Sequence, residues 1–262
     1  MKDLRISLVQ THLQWEDIAG NLQQLEAKLQ SIPIGTHIVV LPEMFSTGFS
    51  MQPERLAETM QGNTILWMKK MAESKKCIIT GSLIIQENDC YYNRLIWMLP
   101  NGQMGFYDKR HCFAYAGEDK HYTPGNKRLI ASVNGWKINL QICYDLRFPV
   151  WARQQANNPP EYDVLIYVAN WPEKRIYAWK SLLIARAIEN QCYVIGVNRI
   201  GNDGNGIAHS GDSMAINPLG EILWHEANKE AIGDVTLSSN FLNEVRSRFP
   251  FLADADKFSI HA

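Results

Sequence analysis

Three polar residues stand just beyond strand-like apolar runs: Glu43 after VVLP, Lys109 after GFYD and Cys143 after NLQI. A cysteine attacks as its thiolate, and a free thiol with a pKa of ~8.5 is only a few per cent ionised at neutral pH. It therefore needs a base or a cation beside it. A carboxylate can take the proton, and an ammonium can stabilise both the thiolate and the oxyanion that forms when a carbonyl is attacked. Cys, Glu and Lys together suffice for acyl transfer. No histidine is required, and none of the seven follows a strand-like run with an Asp or Asn to orient it. Taken singly, each residue has a plainer explanation: a core cysteine, a solvated loop carboxylate, a surface lysine. It is the set that points to chemistry.

Such a set needs elements that bring distant segments together. Leu4, Ile6 and Leu8 alternate as in a strand, and Ile18, Leu22, Leu25 and Leu29 follow helical spacing behind Asp17, a suitable cap. HIVVLPE at 37–43 completes a β-α-β opening, which favours a parallel pair. A helix over about 62–75 leads into CIITGSLI. The middle of the chain then reads as antiparallel: Pro100-Asn101-Gly102 and Asn134-Gly135 each separate two strand-like runs, and Asn-Gly is a strong hairpin signal. DVLIYVA, a helix near 175–190 and CYVIGVN restore the parallel pattern, and GDSMAINPLGEILWHE with AIGDVTL adds hairpin material before a helical tail from about 238. In sheets of this kind ligands gather beyond the carboxyl ends of the strands.

Composition narrows the functional classes. Lys plus Arg is 26 against 27 for Asp plus Glu, with no stretch of one sign, so a nucleic-acid face is not expected. Asp3 and Arg5 interrupt what would have to be an apolar signal core, and no apolar run has membrane-spanning length, so a cytoplasmic protein with no membrane partner is expected. Five scattered cysteines, with no Cys-x-x-Cys or His-x-x-x-His pair, suggest reduced thiols and no metal. GNDGNG at 201–206 follows no clear strand-to-helix pattern and reads as a flexible loop, so a nucleotide cofactor is not expected.

Glu43 in VLPEMFSTGF, Lys109 in FYDKRH and Cys143 in QICYDLRFP resemble, in that order, the three signature segments of the nitrilase, or carbon–nitrogen hydrolase, superfamily. YVANWPEKR, ARAIENQCYVIGVNR and GDSMAINPLGEIL extend the likeness, which runs from Ile6 to about Val235. NWP and CYDLRFP look most similar to the omega-amidase branch, which hydrolyses the terminal amide of 2-oxo dicarboxylic monoamides.

The resemblance implies an α/β fold, an α-β-β-α sandwich of two mixed sheets with helices on both outer faces. It also implies one carbon–nitrogen hydrolase domain over 1–262 with a tail from about 238 to 262, no cofactor, and a homodimer or higher homo-oligomer. The small-molecule amide expected is 2-oxoglutaramate or 2-oxosuccinamate. A second glutamate is implied between the lysine and the cysteine; Glu118 is the candidate, with Asp119 the neighbour that could be mistaken for it. In the mechanism expected, Glu43 takes the thiol proton, Cys143 attacks, and Lys109 with the backbone N–H of Tyr144 holds the oxyanion. A substrate carboxylate needs a cation, for which Arg175 is the candidate and Lys174 the alternative, while Phe45, Tyr115 and Trp171 could wall the pocket. Nitriles, other linear amides and carbamoyl compounds are alternative substrates. A catalytically silent binding protein of the same fold is the alternative of another class.

Overall fold

The structure is a computed structural model that describes residues 1–157 and 159–260, so the last two positions of the expected tail, 261 and 262, lie outside the described residues. One sheet holds β1 (Leu4–Gln10), β2 (Ile38–Val40), β3 (Ile78–Glu87), β4 (Cys90–Met98) and β5 (Met104–Asp108). The other holds β6 (Ile130–Val133), β7 (Trp136–Ile142), β8 (Val164–Ala169), β9 (Tyr193–Asn198), β10 (Ile200–Asn202), β11 (Ala208–Ile216) and β12 (Ile222–Ala227). β13 (Ala231–Leu237) returns to the first sheet, giving the orders β13-β1-β2-β3-β4-β5 and β10-β11-β9-β8-β7-β6, with β12 beside β11.

Both sheets are mixed, as expected. β1, β2 and β3 run parallel, as do β7, β8 and β9, and the remaining pairs are antiparallel. Asn134 and Gly135 both take positive φ, 50° and 85°, the geometry a two-residue hairpin between β6 and β7 requires. β13 departs from the hairpin reading. It crosses to the free edge of β1, pairing Leu4 with Leu237 through Gln10 with Ala231.

Strand periodicity explains the layers. Ile38 and Val40 join Leu4, Ile6 and Leu8 in the core shared with the β7–β9 sheet, whereas Val39 and Leu41 face the cluster made by helices α1 (Ile18–Leu29) and α3 (Asn63–Lys75). Helix α5 (Ile176–Asn190) covers the outer face of the second sheet, placing Trp179, Leu183 and Ala187 in its core. The result is an α-β-β-α sandwich. Asp17 caps α1 through the Gly20 N–H at 2.9 Å. Short helices α2 (Pro53–Leu56) and α4 (Pro149–Ala152) follow turns. The tail forms α6 (Ser239–Arg248), which folds back on its own chain: Arg246 pairs with Asp163 at 2.6 Å and donates to the carbonyls of Tyr162 and Gln191.

Candidate active site

The strand ends and turns that matter are those after β2, β5, β7 and β8. β7 stops at Ile142 and the chain enters a 3₁₀ turn, Cys143–Arg147. Cys143 takes φ +44°, a left-handed conformation that costs a non-glycine residue about 1–3 kcal/mol and persists only where its surroundings enforce it. Asp145 supplies the enforcement. Its fully buried carboxylate accepts from Ile142 N–H at 3.0 Å, Tyr107 Oη at 2.8 Å and His111 N–H at 3.0 Å, and lies 2.8 Å from His111 Nδ1. Tyr107 Oη in turn accepts from Trp151 Nε1 and Arg110 N–H, and the His111 ring stacks on Phe148 at 3.8 Å. One carboxylate thus ties the turn bearing Cys143 to the segment bearing Lys109.

Glu43 follows β2 through Pro42, and Lys109 follows β5. Lys109 Nζ lies 2.8 Å from Glu43 Oε1 and 3.0 and 2.9 Å from the two carboxylate oxygens of Glu118, and all three side chains are essentially without solvent contact. Asn93 Nδ2 donates to Glu43 Oε1 at 2.8 Å and to Glu118 Oε1 at 3.1 Å. Asn170 N–H donates to Glu43 Oε2 at 2.8 Å, and its side-chain amide to the Glu43 carbonyl at 2.5 Å. Glu118 also accepts from the Phe113 N–H. Unpaired buried charges cost several kcal/mol each, so this density of partners is what lets three ions share a dry site.

Electrostatics follow from the packing. Burial opposes the Lys109 ammonium, but the charges of Glu118, Glu43 and Cys143 outweigh it and hold its pKa well above the usual lysine value. Burial raises the Glu118 carboxyl, with Lys109 working against that and Glu43 adding to it. Burial, then the Glu43 charge, raises the Cys143 thiol well above its ordinary value against the pull of Lys109. Near neutral pH the resting sulfur is therefore a thiol.

Cys143 and Lys109 line a pocket with about 530 Å³ free of protein atoms, open mouth included. Tyr144, Asn170, Trp171, Phe49 and Phe113 form its walls, and Arg147, Arg175, Asp203, Ile207 and His209 stand around them. Glu43, Lys109, Cys143 and Glu118 are brought together, and Glu118 is buried where its neighbour Asp119 is exposed. Arg175 and Trp171 both line the pocket, linked by a bond from Trp171 Nε1 to the Arg175 carbonyl at 2.9 Å; Lys174 is exposed and does not line it.

Two wall residues expected from the sequence lie elsewhere. Phe45 is fully buried against Trp67, with ring centroids 5.9 Å apart, in the cluster under α3; Met44 takes φ +43°, the chain turns after Glu43, and it is Phe49 that reaches the pocket. Tyr115 is 87% exposed, its ring 5.8 Å from that of Phe113, which does line the pocket. Sequence reasoning missed Asn93, Asn170, Phe49, Phe113, Arg147 and His209. Asn170 had a signal, since it follows VLIYVA as Cys143 follows its own strand, and Asn93 is a lone amide inside the apolar run of β4. GNDGNG proves to hold the tight turn between β10 and β11, which delivers Asp203 to the pocket. Burial and the nearby Arg199 guanidinium lower the His209 pKa to about 4, so that ring is neutral near pH 7. Among the described residues no group of three or more His, Cys, Asp or Glu could hold a metal ion, and no helix is long and apolar enough to cross a membrane.

Two sheets face to face bring a thiol, a carboxylate and an ammonium together at converging strand ends, a set chemically able to support acyl transfer. The chain belongs to the carbon–nitrogen hydrolase family, whose model matches residues 5–246, and lies in the omega-amidase-like branch of the nitrilase superfamily. It is 44% identical over 261 residues to the omega-amidase YafV of Escherichia coli K12, covering 99% of this chain and 100% of that one. It is 31% identical over 255 residues to the 2-oxoglutaramate amidase of Bacillus subtilis, covering 96% and 97%. A CN-hydrolase superfamily protein of Xanthomonas campestris, solved with an arsenic adduct in its active site, superposes with a TM-score of 0.97 at 42% identity over the full length of both chains.

Proposed function

We propose that this protein is an omega-amidase that hydrolyses the terminal amide of a 2-oxo dicarboxylic monoamide, 2-oxoglutaramate or 2-oxosuccinamate, and releases ammonia. The observation that carries this reading is the Glu43–Lys109 pair, 2.8 Å apart, set beside Cys143 in the wall of a small pocket, in a chain alike over its whole length to omega-amidases.

Because the thiol rests protonated, the attack is a coupled step: Glu43 accepts the proton as sulfur bonds to the amide carbon. The oxyanion of the tetrahedral adduct meets the Lys109 ammonium and the backbone N–H of Tyr144, at the start of the 3₁₀ turn where N–H groups have no partner within the turn. Lys109 Nζ already faces three carboxylate oxygens, so its contribution is chiefly charge, with Glu118 the anion that holds it in place. Glu43 then gives its proton to the leaving nitrogen, ammonia departs and a thioester remains. Glu43 next deprotonates a water, which cleaves the thioester to the dicarboxylic acid and restores the thiol.

Arg175 is the proposed partner of the substrate carboxylate, with Trp171 and Tyr144 beside it. Its guanidinium lies 5.3 Å from the Phe113 ring centroid, and Arg147 lies 4.9 Å from that of Trp171; neither has a carboxylate partner within 4.0 Å among the described residues. A guanidinium resting on a ring keeps its N–H edge free for a planar anion. Tyr177 (82% exposed), Ile188 (52%), Ile222 (49%) and Leu223 (47%) leave apolar surface on α5 and β12 that supports a homodimer. Five free cysteines fit a reducing, cytoplasmic setting.

Ammonia release measured over 2-oxoglutaramate, 2-oxosuccinamate, glutamine, a neutral amide, a carbamoyl amine and a nitrile, with Cys143→Ala as control, tests the reading. Preference for the two 2-oxo acids, absent from the variant, is expected; faster turnover of the nitrile or of the neutral amide contradicts it.

A further inference from the structure

Asn93 sits at the point where the charged groups meet, and nothing in the mechanism above uses it. It lies mid-strand in β4, is 2% exposed, and holds three partners at once. Its two amide hydrogens serve Glu43 Oε1 at 2.8 Å and Glu118 Oε1 at 3.1 Å, and its backbone carbonyl accepts from the Lys109 N–H at 3.0 Å. The amide orientation is dictated, because turning it over would set its oxygen against two carboxylates. We propose that Asn93 is a positioning residue that clamps Glu43 Oε1 toward Lys109, so that Glu43 meets the thiol as an ionised and oriented base.

The physical reason is charge economy. Two buried carboxylates share one ammonium, and a further donor is needed that satisfies both without adding a charge to the site. A side-chain amide placed between them does so. An aspartate of nearly the same shape would put three carboxylates around Lys109, and an alanine would leave two lone pairs unpaired. The other ionisable groups facing this cluster are Cys143 on the 3₁₀ turn, Cys112 beside Glu118 and Lys109, and Tyr122, which sees Glu118, Lys109, Glu54 and Glu43. None of these donates to both carboxylates. Removing a donor from a carboxylate disfavours its ionised form, so the acidic limb of activity must move up in pH when Asn93 is truncated.

The inference rests on the reading of Glu43 as base, and the test separates the two. kcat/KM for 2-oxoglutaramate is measured from pH 4.5 to 10 for the native enzyme, Asn93→Ala, Asn93→Ser and Asn93→Asp, with thermal melts of each. Asn93→Ala should lower kcat about ten- to a hundredfold with KM changed less than about threefold, and move the acidic limb up by about one pH unit. Asn93→Ser, which keeps one donor, should fall between, and carries the test if the alanine variant does not fold; Asn93→Asp should move the limb furthest. A limb that superimposes on the native one with only a lower plateau overturns the positioning role. So does a change confined to KM. If Glu43→Gln, profiled alongside them, keeps the native activity and acidic limb, it is the parent mechanism that fails.

Discussion

The floor of the pocket and its rim are built on opposite plans. At the floor Lys109 lines the pocket, with Glu43, Glu118 and Asn93 packed behind it; all four are fully buried, and each holds at least two partners among the others. At the rim, Arg175 is half-buried, Arg147 is exposed, and both touch aromatic rings without a carboxylate partner among the described residues. The contrast shows where the energy goes. A base and an ammonium can be held in a dry site only if every charge is answered, so the chemical groups have one arrangement available to them. Groups that greet a charged substrate must keep an unanswered edge, and solvent pays part of the cost until the substrate arrives.

The contrast sets an order of effects. Lys109→Ala strikes hardest, because it removes the proposed oxyanion partner and leaves two buried carboxylates without the ammonium they share. Activity should fall at least about a thousandfold, and the melting temperature should drop, since breaking a buried pair costs about 3–5 kcal/mol. Full stability together with lost activity would mean that the floor is not under this constraint. Glu118→Gln keeps shape but not charge, and it sets an N–H donor where one carboxylate oxygen now accepts two; a loss of about ten- to a hundredfold with measurable turnover is expected if Glu118 holds Lys109 without exchanging protons. A variant as dead as Cys143→Ala sinks that assignment. Arg175→Ala, at the rim, should raise KM about tenfold or more for acidic substrates and leave neutral amides unchanged. Equal losses on both would make Arg175 a structural residue.

The legibility of the sequence divides along the same line. Glu43, Lys109 and Cys143 were readable because each ends an apolar strand run, and a strand end has few places to put a polar side chain except the ligand face. Asn134-Gly135 and Asp17 were readable because turns and caps are local. What escaped depends on contacts distant in sequence. β13 pairs with β1 across more than two hundred positions, and no local pattern distinguishes that edge from a hairpin partner. Phe45 and Phe49 are four residues apart in one loop, and only the backbone turn at Met44 decides which ring meets the pocket. Asn93 drew no notice inside its strand, because its side-chain partners come from two other segments.

The last effect expected falls on stability and leaves turnover aside, and it concerns the histidine of the pocket wall. His209 is 6% exposed and its pKa is lowered to about 4 by burial and by Arg199, so the unfolded chain, with a histidine near 6.5, binds the extra proton first. Stability is therefore lost as pH falls from about 6.5 toward 4, by an amount on the order of 3 kcal/mol at most. His209→Gln should flatten that stretch of the stability-versus-pH curve measured by urea unfolding. A curve equally steep in the variant places the acid sensitivity elsewhere.

The central claim, that Cys143 carries the acyl group in the reaction, is tested most directly by acid-quenching the enzyme during turnover of 2-oxoglutaramate and weighing the peptide that contains residue 143. A mass increase equal to the substrate acyl group, confined to that peptide and absent from Cys143→Ala, is the predicted result. Steady ammonia production with that peptide unmodified and the acyl mass on another residue would contradict it.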